Sequence, residues 1–213
     1  MVRLLILMLL MAVNGFAKPI NCTFKLSLPP QQDSFQLEVF KCYLSNFRFY
    51  SQSNELIFTD SNAFLIELSD SVLTHTITID CPVNVTPKTI VYSIGLDSVS
   101  NTSGALSGAL DPLNGMFWTW QSGYIHLKLE GTFFKTGRPK TALEFHLGGY
   151  RWPNATLIDK QVDIKYESII VDIQLSIFLK HLNKGLSTKI MSPGPLAKQV
   201  FNTISNSFVP MQP

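Results

Sequence analysis

Charged and metal-binding side chains are scarce in this chain. Charged residues make up only 15% of the 213 positions, the formal net charge is +2, and there are four histidines and three cysteines. Such a balanced charge gives no electrostatic footprint for nucleic acid or for an anionic membrane surface. Cys22, Cys42 and Cys81 stand in no CxxC or Cys/His spacing, which argues against a zinc site. Three cysteines permit at most one disulfide, and their spacing leaves its partners open.

A hydrophobic run long enough to cross a membrane is also missing. The apolar run at residues 4–13 is too short, since a spanning helix takes about 20 residues. It follows Arg3 and precedes Gly15-Phe16-Ala17, whose small residues suit a signal peptidase. We therefore predict a secretory signal peptide over residues 1–17 and a single periplasmic or secreted domain over residues 18–213, without stable membrane insertion. Loss of the peptide removes only the charge of Arg3, so acidic and basic residues stay nearly balanced.

Short segments of alternating polar and apolar residues, separated by turn-forming residues, are abundant. They lie at residues 23–28, 35–39, 44–49, 64–68, 74–79, 89–94 and 162–166. Residues 171–180 alternate in the same way and predict one long strand. Residues 195–201 follow a Pro-Gly-Pro turn and show helical spacing instead. This pattern predicts an all-β fold, an antiparallel β-sandwich with a short C-terminal helix.

The most unusual segment is MFWTWQSGYIHLKLE, residues 116–130. Side chains two apart share a face of a strand, so one continuous strand would collect aromatic, imidazole and thioether groups on one face. These groups are Met116, Trp118, Trp120, Tyr124 and His126. Such a column of chemically useful side chains makes this segment the candidate site.

A second strand, ALEFHLGGY at residues 142–150, places Glu144 and His146 on one face. A hairpin with both segments would put His126 opposite His146 and Lys128 opposite Glu144, and a shift by two residues would keep both histidines on one face. Two imidazoles there could share a metal ion. We predict a metal site made by His146, His126 and Met116, beside Trp118 and Trp120, with Tyr124 and Glu144 as secondary candidates.

Other interpretations of these residues remain open. Tryptophans in strands are more often core or stacking residues, and a single strand histidine is more often hydrogen-bonded than a ligand. Trp118, Trp120 and Tyr124 could instead form the aromatic platform of a carbohydrate-binding module. Nothing resembles a nucleophile elbow or a Ser/His/Asp arrangement, so we do not expect an enzyme.

Several motifs resemble the MbnP family of periplasmic copper-binding proteins. The most specific is the run from Asp111-Pro112 through GMFWTWQSGY, which closes on Lys128-Leu129-Glu130-Gly131. Further similar elements are Phe145-His146-Leu147-Gly148-Gly149, Tyr43-Leu44-Ser45-Asn46-Phe47, Ile94-Gly95-Leu96-Asp97-Ser98 with Asn101, and Ile190-Met191-Ser192-Pro193-Gly194. The resemblance spans nearly the whole chain after the signal peptide.

The resemblance implies copper binding outside the cytoplasm. Members of the family are often paired with a di-haem cytochrome c peroxidase-like enzyme, which oxidises a tryptophan of the binding protein to kynurenine. Kynurenine carries an aromatic amine and a ketone that can help to bind copper, whereas an indole is a poor ligand. Transferred to this sequence, the resemblance implies His146 as a ligand and Trp118 or Trp120 as the residue that is oxidised.

Overall fold

The computed structural model describes residues 17–29, 35–119, 121–134, 140–182 and 187–211, with the side chain of Leu182 left out. Within these ranges the chain forms fourteen strands and three α-helices. The strands are β1 (Ala17–Ser27), β2 (Phe35–Tyr50), β3 (Leu56–Asp60), β4 (Phe64–Leu68), β5 (Thr74–Pro82), β6 (Thr89–Ile94), β7 (Phe117–Thr119), β8 (Gly123–Tyr124), β9 (Leu127–Phe133), β10 (Thr141–Leu147), β11 (Ile158–Asp163), β12 (Ser168–Gln174), β13 (Lys189–Ile190) and β14 (Phe208–Pro210). The helices are α1 (Ser98–Thr102), α2 (Leu175–Leu182) and α3 (Pro195–Ser205), and 3-10 turns lie at Gly108–Leu110 and Pro112–Asn114.

Two sheets form the predicted sandwich. The smaller has the strand order β14-β12-β1-β5, and the larger has the order β11-β6-β2-β9-β10-β13, with β3 and β4 also paired to β2. Most neighbouring strands are antiparallel, while β1 with β12 and β10 with β13 are parallel. The all-β prediction with a short C-terminal helix, α3, is therefore confirmed.

The core lies between the two sheets because the strands alternate as the sequence pattern indicated. Along β1, Phe24 is completely buried and its ring meets that of Tyr92 from β6 edge to face at 5.6 Å. Phe40 of β2 similarly meets Phe208 of β14, with 6.3 Å between ring centroids. Full burial of a side chain of this size contributes about 1.5–3 kcal/mol, so these contacts hold the two sheets together.

The three cysteines lie in this apolar environment. Cys22, Cys42 and Cys81 are all described, and each is buried and free of a disulfide. Burial raises the pKa of the Cys22 thiol to about 12. A protonated buried thiol behaves as a small apolar side chain, so in this structure the cysteines serve packing.

The predicted long strand over residues 171–180 is wrong beyond residue 174. The strand β12 ends at Gln174 and the helix α2 begins at Leu175. Leu175, Phe178 and Leu179 are buried, which is the i, i+3, i+4 spacing of a helix face. The apolar residues of this short segment fit both the alternation of a strand and the spacing of a helix. The ring of Phe178 packs edge to face on that of Phe145 in β10, with 5.6 Å between ring centroids, and this contact favours the helix.

Residues 116–130 are not one continuous strand either. They form β7, a turn, β8 and then β9. The turn ends at Gly123, whose φ of +74° suits glycine, and a β-carbon there would lie 1.6 Å from the side-chain oxygen of Asn101. The strands β7 and β8 form a separate two-stranded sheet, and the predicted single column of side chains is broken at this turn.

A second hydrophobic cluster covers the outer face of the larger sheet. It consists of Tyr43, Leu96, Met116, Tyr124 and Ile125, with Phe117 and Trp118 packed against it. The hydroxyl groups of Tyr43 and Tyr124 donate hydrogen bonds to carbonyl oxygens of the 104–110 segment, among them Ala109 and Gly104. The segment that contains Trp118 therefore belongs to this layer on the outer face of the sheet and not to a sheet edge.

No helix in the described ranges is long and apolar enough to cross a membrane.

Candidate functional site

His146 lies on the outer face of the larger sheet. In β9 and β10 the buried residues alternate with half-buried ones, so Lys128, Glu130, Glu144 and His146 project away from the core. The Nε2 atom of His146 lies 2.6 Å from Oε1 of Glu130. The side chain of His146 is only 12% exposed, so this imidazole is a partly enclosed group with a defined partner.

The predicted hairpin of β9 and β10 exists, but its register differs by two residues from the expected one. His146 faces Lys128, and Glu144 faces Glu130. The predicted pairings of His126 with His146 and of Lys128 with Glu144 are therefore wrong. Glu144 instead forms a salt bridge of 2.6 Å with Lys189, which belongs to the neighbouring strand β13.

Glu130 is placed between two nitrogen donors. Its Oε1 atom accepts from His146 and also lies 3.3 Å from Nζ of Lys128. Burial alone would raise the pKa of Glu130, but the hydrogen bond from His146 and the neighbouring Lys128 together lower it. Glu130 is therefore an ionised carboxylate at neutral pH. It is a residue of the candidate site that the sequence analysis did not select.

Trp118 packs against the chain just beyond the end of β10. A β-carbon on Gly148 would come within 2.8 Å of Cζ3 of Trp118 and 2.5 Å of the carbonyl oxygen of Tyr124. Gly148 follows His146 by two residues and lies directly after the end of β10. The absence of a side chain at Gly148 thus lets the indole of Trp118 pack close to the end of the strand that carries His146. Trp120 lies outside the described residues.

His126 occupies a different environment. It is completely buried, and both ring nitrogens have hydrogen-bond partners. The amide oxygen of Asn101 accepts from the backbone N–H of Tyr124 at 2.9 Å, so its amide nitrogen is the group that donates to His126 Nε2. The Nδ1–H of His126 then donates to the carbonyl oxygen of Thr156 at 2.8 Å.

His126, directly before β9, therefore links two other segments to the start of this strand. One is α1, which contains Asn101, and the other is the connection between β10 and β11, which contains Thr156. Burial lowers the pKa of His126 to about 4, although the hydrogen bond with Thr156 and the charge of Asp97 act in the opposite direction. In this conformation neither nitrogen offers an unused lone pair. Sequence spacing gave no indication of the bond between His126 and Thr156, since the two residues are brought together only by tertiary folding.

Met116 and Tyr124 are fully buried in the second hydrophobic cluster. The ring of Tyr124 packs against Phe117, with 4.8 Å between centroids, and against Tyr43 at 5.8 Å. A buried ring cannot stack on a sugar, so the predicted aromatic platform does not include Tyr124. The thioether of Met116 is likewise enclosed by apolar neighbours.

The donor set around His146 is small. No group of three or more His, Cys, Asp or Glu side chains that could hold a metal ion exists among the described residues. His146 fits a single imidazole ligand, because Nδ1 has no hydrogen bond to any described residue, whereas the indole of Trp118 is not a ligand in its unmodified form. Further donors would have to come from a modified tryptophan or from outside the described part of the chain.

The chain is similar in fold to a solved structure, that of MbnP from Methylosinus trichosporium. The TM-score is 0.58 and the sequence identity is 13%, over 84% of this chain and 82% of that chain. No curated protein matches the chain significantly. The sequence matches the MbnP family over residues 8–191. Since this match covers well over half of the chain, the protein belongs to the MbnP family.

Proposed function

We propose that this protein is an exported copper-binding protein that binds the metal through His146 rather than turning over a substrate. The observation that carries the proposal is the half-buried His146, whose Nε2 is engaged by Glu130 while Nδ1 has no partner among the described residues. Imidazole nitrogen suits copper in both common oxidation states. The signal-peptide pattern of residues 1–17 supports the proposal of export, to the periplasm or the exterior.

The proposal is tested by titrating copper into the protein without residues 1–17. His146→Ala should weaken copper binding by at least about tenfold, because it removes the imidazole ligand. His181→Ala is the matched control, since His181 is an exposed histidine on α2. Equal copper affinity of the wild-type and His146→Ala proteins would remove His146 from the site.

We further propose that Trp118 or Trp120 is converted to kynurenine by a di-haem cytochrome c peroxidase-like partner. The conversion requires an oxidant, for which a peroxidase-like partner would use hydrogen peroxide: two equivalents break the C2–C3 bond of the indole, place one oxygen atom on each carbon and leave two molecules of water. Hydrolysis of the resulting N-formyl group then releases the C2 carbon as formate. It creates an aromatic amine next to a ketone. The position of Trp118 beside Gly148, two residues after His146, supports a role of the new amine as a second copper donor.

Access for such a partner is supported by the surface next to the hairpin. The turn residues Gln121 and Ser122 line an open cleft of about 420 Å³, together with Arg151 and Trp152. Trp152 is 89% exposed. An exposed indole at the rim of a cleft is a common feature of protein contact sites, and here it adjoins the segment that contains both candidate tryptophans.

A further inference from the structure

The hydrogen bond between His146 and Glu130 determines which nitrogen of the imidazole can bind a metal. An ionised carboxylate has lone pairs but no proton, so it only accepts hydrogen bonds. The 2.6 Å contact between His146 Nε2 and Glu130 Oε1 therefore requires that Nε2 carries the proton. In a neutral imidazole the lone pair then lies on Nδ1.

We infer that Glu130 is a positioning residue of the metal site, which fixes the ring and tautomer of His146 so that Nδ1 is the nitrogen that binds copper. This inference rests on the proposed function, since it concerns the same site. Metal-binding histidines typically donate their other ring N–H to a carboxylate or carbonyl group, and loss of that partner typically costs about 10–100-fold in metal affinity. Glu130 stands in that relation to His146.

The neighbouring side chains keep Glu130 in this role. Lys128, directly opposite His146 in the sheet, lies 3.3 Å from the same carboxylate oxygen. The other carboxylate on this face, that of Glu144, is bound to Lys189 at 2.6 Å. Glu144, a secondary site candidate in the sequence, is therefore paired with Lys189 and not with His146, and it is not part of the site proposed here.

Glu144 supplies a matched control for that reason. Glu130→Leu and Glu144→Leu each remove one negative charge from the same face, but only the first removes the acceptor of His146. Glu130→Gln is the conservative variant, because its amide oxygen can still accept the Nε2 proton. We expect copper affinity to fall by about 10–100-fold in Glu130→Leu and by less in Glu130→Gln, and to stay within about twofold of wild type in Glu144→Leu.

A spectroscopic measurement addresses the tautomer directly. Long-range ¹H–¹⁵N spectra of the metal-free protein should show His146 protonated at Nε2 in the wild type and in Glu130→Gln, and a mixture of tautomers in Glu130→Leu. Addition of Ag⁺, a diamagnetic probe that resembles copper(I), should shift the Nδ1 resonance. The wild-type spectra need no substitution, so they test the inference even if a variant fails to fold.

Two outcomes would overturn the inference. One is a wild-type His146 that is protonated at Nδ1 or binds Ag⁺ through Nε2, and the other is a folded Glu130→Leu protein with wild-type copper affinity. Both differ from failure of the proposed function, in which His146→Ala itself binds copper as tightly as the wild type.

Discussion

Acid should destabilise this protein through His126. The folded protein holds this fully buried imidazole neutral, with a pKa of about 4 instead of the ordinary 6.5. The unfolded chain takes up a proton near pH 6.5, whereas the folded chain resists protonation until about pH 4. The contribution of the neutral imidazole to the free energy of unfolding is therefore fully present above pH 6.5 and is lost as the pH falls from 6.5 toward 4.

The size of the effect follows from the pKa difference. One pKa unit corresponds to about 1.4 kcal/mol, so a difference of about 2.5 units makes protonation of the unfolded chain more favourable by about 3 kcal/mol. Because small domains are stabilised by only about 5–15 kcal/mol, a loss of this size is readily measured. Other groups also titrate in this range, and a variant without the imidazole separates their contribution.

The assay is urea unfolding of the metal-free protein, without residues 1–17, followed by circular dichroism between pH 7 and pH 4. His126→Gln should be less stable than the wild type at pH 7, since Asn101 and Thr156 lose a partner. That difference should shrink by about 3 kcal/mol at pH 4. His181→Gln, which changes an exposed histidine, should parallel the wild type. Parallel curves for the wild type and His126→Gln would refute the reasoning.

Two further predictions concern the hairpin that carries the tryptophans. Gly123→Ala should lower the free energy of unfolding by about 3 kcal/mol, because it combines an unfavourable positive φ with a clash against Asn101. Gly115 also has a positive φ, +70°, but has open space around it. Gly115→Ala should therefore lower the free energy of unfolding by only about 1 kcal/mol. Equal losses for the two variants in urea unfolding would contradict the contact with Asn101. The protein purified from its native host should be about 4 Da heavier than the unmodified chain, as conversion of one tryptophan to kynurenine requires. Peptide mapping should place that mass on Trp118 or Trp120, and an unmodified mass from the host would contradict the kynurenine proposal.

Much of the fold was predictable because alternation of apolar residues is a local property. The segments that became β1, β4, β5 and β6 show it directly, and helical spacing after the Pro-Gly-Pro turn indicated α3. The strand prediction failed over residues 175–180, where the apolar residues satisfy both the period of a strand and that of a helix. The contact between Phe178 and Phe145, distant in sequence, decided between them.

The candidate site was predictable to a smaller extent. Sequence placed His146 on the polar face of a strand and proposed its hairpin with β9, both of which the structure shows. The register differed by two residues, and this shift gave His146 a carboxylate partner, Glu130, instead of a second imidazole. Hairpin register depends on the turn between the strands, and residues 135–139 of that turn lie outside the described part of the chain.

The amino-acid sequence by itself determined the β-sandwich, the signal-peptide pattern and the concentration of tryptophan, histidine and methionine between residues 116 and 146, because each depends on residue type and local spacing. Only the tertiary structure decided the separate roles of the two histidines. His126 became a buried link between Asn101 and Thr156, while His146 bound Glu130 through one ring nitrogen and kept the other free of hydrogen bonds to the described residues. The physical reason is that a histidine's chemistry depends on the groups that surround its two ring nitrogens, and in this protein those groups come from distant parts of the chain.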